Sequence, residues 1–232
     1  MPASTQTLAT IRTDVRYRLD ETTARMWSDA ELNNWINEAC RDISRRTETL
    51  LSFYTAITAL PNVAKYRLPE NVIRVNRVEF QPVNSTETYP LQASTYQEMD
   101  AMWGTRQAVQ RSYPSFFVLW GVAGSVEGIT MQLYPIPSQA GTLNIYYYRL
   151  PTAMTADSDH ADIPAGWEDL ISLYCEYIAL RKDRDARWSD AKQMYEENLG
   201  HMIDVTRQLH DQARSVTVGN AAVPAWLYEF DW

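Results

Sequence analysis

The sequence is poor in the residues from which metal and redox centres are built. Its 232 residues include two cysteines and three histidines. Cys40 and Cys175 each fall at an apolar position of a helical pattern. They therefore read as buried thiols and not as a disulfide or a nucleophile, which fits a reducing compartment. His201 and His210 are nine residues apart, outside any zinc-binding spacing. Cationic charge is also scarce, with 21 Lys and Arg against 29 Asp and Glu, a formal net charge of −8. A protein that grips nucleic acid needs clustered cations against the phosphates, so that class is excluded. An acidic surface past which DNA slides is not excluded, because repulsion prevents sticking. No apolar run approaches the ~18 residues of a membrane span. The opening residues have neither the basic start nor the apolar stretch of a signal peptide. The eight glycines form no phosphate loop, since Gly121-Val122-Ala123-Gly124-Ser125 lacks the lysine and the spacing. There is no Gly-x-Ser-x-Gly elbow and no repeat of solenoid period.

What is present divides into helices, strands and helices again. Leu8, Ile11, Val15 and Leu19 recur at helical spacing and predict a helix over residues 5–20. Ser28-Asp29-Ala30-Glu31 reads as a capping box opening a second helix that runs to about Leu50, with Leu32, Trp35, Ile36, Ala39, Cys40 and Ile43 as its stripe. From Phe53 the period changes. Short strands are predicted at 53–58, 66–68, 72–80, 116–120, 129–134 and 143–148, with a bulge in the third and one short helix over 94–103. After Pro151 the helices return. Pro164 is placed in the first turn of one whose stripe is Trp167, Leu170, Ile171, Tyr174, Cys175 and Ile178. A last helix carries Trp188, Ala191, Met194, Tyr195, Leu199, Met202, Val205 and Leu209 and is predicted to end near Arg214. Trp35, Trp167 and Trp188 are expected in the core, and Trp103 and Trp120 border loops.

The fold class is therefore α+β: N- and C-terminal helix pairs packed as an α-helical bundle, with an inserted antiparallel β region. The boundaries expected are 1–52 and 151–214 for the bundle, 53–150 for the β region, and 215–232 for an extended C-terminal arm. That last segment carries Trp226, Leu227, Tyr228, Phe230 and Trp232, and from Ser215 onward it holds no Lys or Arg. Large aromatic side chains outside any helical stripe are interface anchors, each fit for a partly polar pocket. Val216-Thr217-Val218 is suited to adding a strand to a partner's sheet. The candidate partner-binding residues are thus Val216, Val218, Trp226, Leu227, Tyr228, Phe230 and Trp232.

One stretch invites a metal. Thr155-Ala156-Asp157-Ser158-Asp159-His160-Ala161-Asp162 gathers three carboxylates and an imidazole. It lacks the glycine and distal glutamate of an EF-hand. The plainer reading is a polar loop before a helix, with Asp162 near the positive helix end. No catalytic residue, cofactor or metal site is assigned, and a metal-dependent hydrolase on this loop stands as the alternative of a different class. A helix-turn-helix regulator would draw on Arg12, Arg16, Arg18 and Arg25, but the chain as a whole is acidic.

Four stretches, taken in order, resemble the head-to-tail adaptor proteins of tailed double-stranded DNA bacteriophages, of the tail tubular protein A type. They are Leu8 to Leu19 with Trp27 to Ala39; Tyr66-Arg67-Leu68-Pro69-Glu70-Asn71-Val72-Ile73-Arg74-Val75; Leu133-Tyr134-Pro135-Ile136-Pro137 leading into Gly141 and 143–148; and Arg149-Leu150-Pro151 with Ile163-Pro164, Tyr174 and Tyr177. The resemblance implies a virion structural protein without catalytic activity. It implies a homo-oligomeric ring, usually twelvefold, beneath the portal protein. Such a ring extends the DNA channel, passes DNA without sequence-specific binding, and offers a platform to a tail or nozzle protein. It also implies a place in the virion neck, assembly in the host cytoplasm, no membrane, and a C-terminal segment that engages the portal or a neighbouring subunit. A neck or tail-tube completion protein without portal contact is the nearest alternative. Lateral contacts are expected between Glu196, Glu197 and Asp204 of the last helix and arginines of the first or second helix next door.

Overall fold

The computed structural model describes residues 4–21, 23–103, 110–111, 113–121 and 128–218, with side chains for all of these except 55, 56, 103, 110, 111 and 209–218. In chain order the elements are α1 (Leu8–Arg18), α2 (Asp29–Thr47), β1 (Leu51–Ala59), β2 (Lys65–Arg67), β3 (Val72–Pro82), β4 (Tyr89–Ala93), α3 (Tyr96–Trp103), β5 (Gln110–Arg111), β6 (Phe116–Trp120), β7 (Thr130–Tyr134), β8 (Ile136–Pro137), β9 (Gly141–Arg149), α4 (Asp169–Asp183) and α5 (Trp188–Val218). The chain is α+β. It divides into a helical unit, made of the residues through Thr47 and those from Met154 on, and a β unit, Glu48–Ala153.

In the helical unit the predicted stripes meet in one core. Leu8, Ile11 and Val15 of α1 join Leu32, Ile36, Ala39, Cys40 and Ile43 of α2, Leu170, Ile171, Tyr174 and Cys175 of α4, and Tyr195, Leu199 and Met202 of α5. Full burial of such side chains stabilises by about 1.5–3 kcal/mol each before ordering costs. α2 packs against α1, α4 and α5, and α4 packs against α1, α2 and α5. Leu173, Ser172 and Ala179 are buried in addition to its predicted stripe. A helix apolar on most sides belongs inside its unit, and α1, α2, α4 and α5 share one core.

The boundaries differ where backbone conformation overrides pattern. Ser28 does cap α2, its Oγ accepting from Glu31 N at 3.3 Å. Glu31, however, does not reach back to complete the box; its carboxylate pairs with Lys182 of α4. α4 begins at Asp169 and not near Pro164, because Gly166 adopts φ +90°, where no helix continues. Its amide donates to Glu168 Oε2 at 2.7 Å. Trp188, predicted in the core, is 38% exposed, while Tyr195, Leu199, Met202 and Thr206 form the buried stripe of α5. Trp35 is buried as expected and Trp167 packs partly against the core.

Two side chains staple this unit. Where the chain returns from the β unit, Asn37 of α2 meets Met154: Asn37 Nδ2 donates to Met154 O at 2.9 Å, and Met154 N donates to Asn37 Oδ1 at 2.8 Å. Between α1 and α2, Glu21 Oε1 accepts from the amides of Arg25, Met26 and Trp27. Its side chain is one-tenth exposed and lies 3.8 Å from Arg16. Arg16 in turn donates to Trp27 O at 2.9 Å and to Asp29 at 2.6 Å. Burial alone would raise the pKa of Glu21; the three amides and Arg16 outweigh it, and the carboxyl is held below its ordinary value.

The β unit carries a seven-stranded sheet in the order β1-β9-β3-β4-β6-β7-β2 and a two-stranded pair, β5-β8. Its core includes Tyr66, Leu68, Val72, Val78, Phe80, Leu91, Phe117, Met131, Leu133, Leu143, Ile145 and Tyr147. The sheet is mixed, which corrects the antiparallel expectation: β4 runs parallel to β6, and β5 to β8. Parallel neighbours need a crossover, and α3 lies in the connection from β4 to β6. Tyr96 Oη of α3 donates to Gln132 Oε1 of β7 at 3.1 Å, and Met99 is buried. The bulge expected in the third strand is present twice, between Val72 and Arg74 and between Val75 and Arg77. Those slips leave Val72, Val78 and Phe80 buried and Ile73 and Val75 only partly so. Gly141 starts β9 where a Cβ would stand 2.5 Å from the Phe80 ring, so the close approach of the two strands requires glycine.

Two outcomes are expected. Asn37→Ala leaves both backbone groups of Met154 without this partner and should cost about 1–3 kcal/mol in urea unfolding. Glu21 has a lowered folded pKa, so its contribution is present above the ordinary glutamate value of 4.5 and is lost as pH falls through the folded value. Glu21→Gln should therefore lower the melting temperature at neutral pH and make its fall between pH 5 and pH 3 (roughly the carboxylate range) shallower than in the parent chain.

Candidate interaction surfaces

The loop that invited a metal is spent on structure. Asp159 Oδ2 accepts from the amides of Thr155 at 2.7 Å and Ala156 at 2.8 Å, which holds its carboxyl below the usual range. Asp157 accepts from Arg12 Nη2 of α1 at 3.0 Å. His160 Nδ1 lies 3.0 Å from Thr5 O. The backbone adds Leu8 N to Asp159 O, Ala9 N to Asp157 O, Ala161 N to Gln6 O and Ser4 N to Ile163 O. The stretch thus clamps the residues ahead of α1. Among the described residues no three His, Cys, Asp or Glu side chains gather as a metal would need.

The cysteines are equally occupied with packing. Burial pushes the Cys40 thiol up to about 12 and the Cys175 thiol well above its ordinary value, so neither supplies a thiolate near neutral pH. His201 packs against Trp167 with ring centres 5.6 Å apart and the rings tilted by 57°. The side chain of His210 lies outside the described residues.

The acidic face of the last helix is partly used within the chain. Arg46 Nη1 donates to Glu196 Oε1 at 3.0 Å, and the second guanidinium nitrogen engages Oε2, a two-pronged pair between α2 and α5. Tyr195 Oη donates to Asp42 at 2.6 Å beside it. Glu196 is therefore committed to its own second helix, contrary to the lateral contact expected for it. Glu197 accepts from Gln193 at 2.8 Å, and Asp204 is exposed.

Charge separates sharply between the units. From Glu48 to Ala153 seven Lys and Arg balance seven Asp and Glu, so the entire net −8 falls on the helical unit. From Thr49 to Ala64 there is no charge at all. Four large exposed apolar side chains come from that stretch: Leu51 (55% exposed), Phe53 (52%), Leu60 (53%) and Val63. Leu51 and Phe53 stand on β1 and Leu60 and Val63 in the loop that follows it, so this stretch is the candidate interaction surface. Nothing in the alternation of 53–58 distinguished an edge strand from a central one, so pattern reading did not find it.

Of the residues picked out as partner-binding, Val216 and Val218 lie in α5, which continues four residues past Arg214. Their backbone is helical there. Trp226, Leu227, Tyr228, Phe230 and Trp232 lie outside the described residues. No helix among the described residues is long and apolar enough to cross a membrane.

Among curated proteins none matches the chain. A family model does, that of the SU10 adaptor protein, over residues 6–222, nearly the whole length and both units. The chain belongs to the SU10 adaptor protein family, a family of phage adaptors with a structural role in the virion neck.

Proposed function

We propose that this adaptor is a head-to-tail connector of the tail tubular protein A type, a ring of subunits docked beneath the portal protein. The observation that carries the reading is the family match across residues 6–222. In this reading the four helices α1, α2, α4 and α5 act as one bundle, and copies assemble, usually as twelve, in the host cytoplasm. The ring extends the DNA channel and gives a tail or nozzle protein its platform. DNA passes the lumen without sequence-specific contact. A net charge of −8, confined to one unit, suits a wall that repels phosphate. Val216, Val218, Trp226, Leu227, Tyr228, Phe230 and Trp232 supply the contact with the portal or a neighbouring subunit. Multivalency makes such a contact effective even when each copy binds weakly.

The test is co-sedimentation with the portal ring of the same phage. The full chain is expected to bind in ring stoichiometry, and a chain stopped after Gly219 is expected to lose binding. Absence of binding by either chain would overturn the portal reading in favour of a tail-completion role. The double change Asp159→Ala, His160→Ala is expected to leave portal binding within about twofold of the parent, since those side chains are used locally. A loss of stoichiometric metal in that variant, checked by elemental analysis, would instead support the metal-hydrolase reading.

A further inference from the structure

The seven-stranded sheet ends on two unlike edges. One is β2, three residues long with Lys65 and Arg67 in it. Short, charged edges resist pairing with other chains. The other is β1, nine residues long, paired with β9 on one side only among the described residues. It has no charge and no proline. Its one protective device is the irregularity between Tyr54 and Ile57. At roughly 3.3 Å per residue it offers about 30 Å of edge.

The side chains beside that edge are set to receive a partner. Leu51 and Phe53 stand half-exposed on one face, with Phe53 against Tyr146 of β9 at 4.6 Å between ring centres. The loop that follows is held rigidly. Tyr66 Oη accepts from Leu60 N at 3.0 Å and donates to Val63 O at 2.9 Å, and Asn62 N donates to Pro137 O at 2.8 Å. Leu60 and Val63 are thus displayed without loop disorder. A rigid surface loses little entropy on binding.

We infer that the β1 edge takes the segment Trp226–Trp232 of a second copy of this chain as an added strand. This rests on the adaptor reading above and names the surface on which subunits join. Three observations select the occupant. The sequence Trp226-Leu227-Tyr228-Glu229-Phe230-Asp231-Trp232 alternates with period two, placing four aromatics on one face of a seven-residue strand. Beside β1 those rings line up with Leu51, Phe53 and Tyr146, and aromatic cross-strand pairs stabilise such additions. The segment is acidic through Glu229 and Asp231 and has no cation; the rest of the helical unit holds a net −6 (−8 less these two) and repels it, whereas the charge-free stretch 49–64 does not. Finally, each chain has one such edge and one such segment. Giving one and taking one is a head-to-tail contact, which repeats around a ring.

The experiment uses four chains: the parent, a chain ending at Gly219, and full-length Phe53→Lys and Leu51→Lys. Far-ultraviolet circular dichroism and melting first establish that each is folded; two exposed sites make failure of both lysine variants on that ground unexpected. Sedimentation velocity and amide exchange over 51–59 follow. The parent should associate with rising concentration, with β1 amides protected, and each altered chain alone should be monomeric or associate at least tenfold more weakly. Mixing the shortened chain, whose edge is intact, with a lysine variant, whose segment is intact, should restore a one-to-one complex.

Several results overturn the inference. A mixture that stays monomeric does so. Self-association of the shortened chain would mean that β1 pairs with β1. β1 amides protected in a monomeric parent would mean that the segment covers its own sheet. A monomeric parent with β1 amides unprotected would leave the edge without this occupant. Protection of the segment alone on the portal would assign it to the portal. The adaptor reading fails separately, by absence of portal binding while the mixed complex still forms.

Discussion

The helical unit is closed by one reciprocal pair of hydrogen bonds, between the side chain of Asn37 and the backbone of Met154. Its core needs helices from both ends of the chain, and the β unit, residues 48–153, lies between them in sequence. An amide side chain offers a donor and an acceptor in one plane, so Asn37 pairs with a backbone as a neighbouring strand would. It does this at the first residue after the chain re-enters the unit. From there Asp157, Asp159 and His160 clamp the returning segment onto the residues before α1, and α4 then enters the space left between α1 and α2. Asp157, Asp159 and His160, which looked available for chemistry in the sequence, are used in this closure.

That use explains why a cluster of carboxylates and a histidine is structural here. A carboxylate that accepts two backbone amides, as Asp159 does, has its lone pairs directed inward along the turn. Glu21 repeats the device on the other side of α1 with three amides. Both act as local replacements for missing secondary structure. Arg46 with Glu196 and Tyr195 with Asp42 then join α2 to α5 at the margin of the core. The acidic composition is thus partly consumed internally.

The sequence made some of this legible and hid the rest for identifiable reasons. The stripes of α1, α2 and α4 and the Ser28 cap are local patterns, and they appear as read. The start of α4 was misplaced because Pro164 tolerates a helix start but Gly166 at φ +90° forbids continuation. Trp188 was misplaced because a helix's first turn can match the stripe without reaching the core. Strand existence was readable at Phe116 and Leu143. Strand order was not, because β4 lies parallel to β6 through a crossover that no local period encodes. The same holds for the candidate surface. Aromatics at 226–232 are visible in the sequence, while the exposed edge of β1 follows only from which strand has one neighbour.

The division of the chain also orders its synthesis. α1 and α2 leave the ribosome first, yet α4, the helix that buries them, begins at Asp169. At translation rates of 5–20 residues per second the wait is roughly ten seconds. During it, Leu32, Ile36, Ala39 and Ile43 have no permanent cover, while the whole β unit emerges and has its own core to fold around. The β unit is thus the first part able to reach its final state, with its sticky β1 edge already formed while the segment proposed to cover it is still untranslated. A nascent chain on a crowded polysome thus exposes that edge to its neighbours' edges before the segment proposed to cover it has been made.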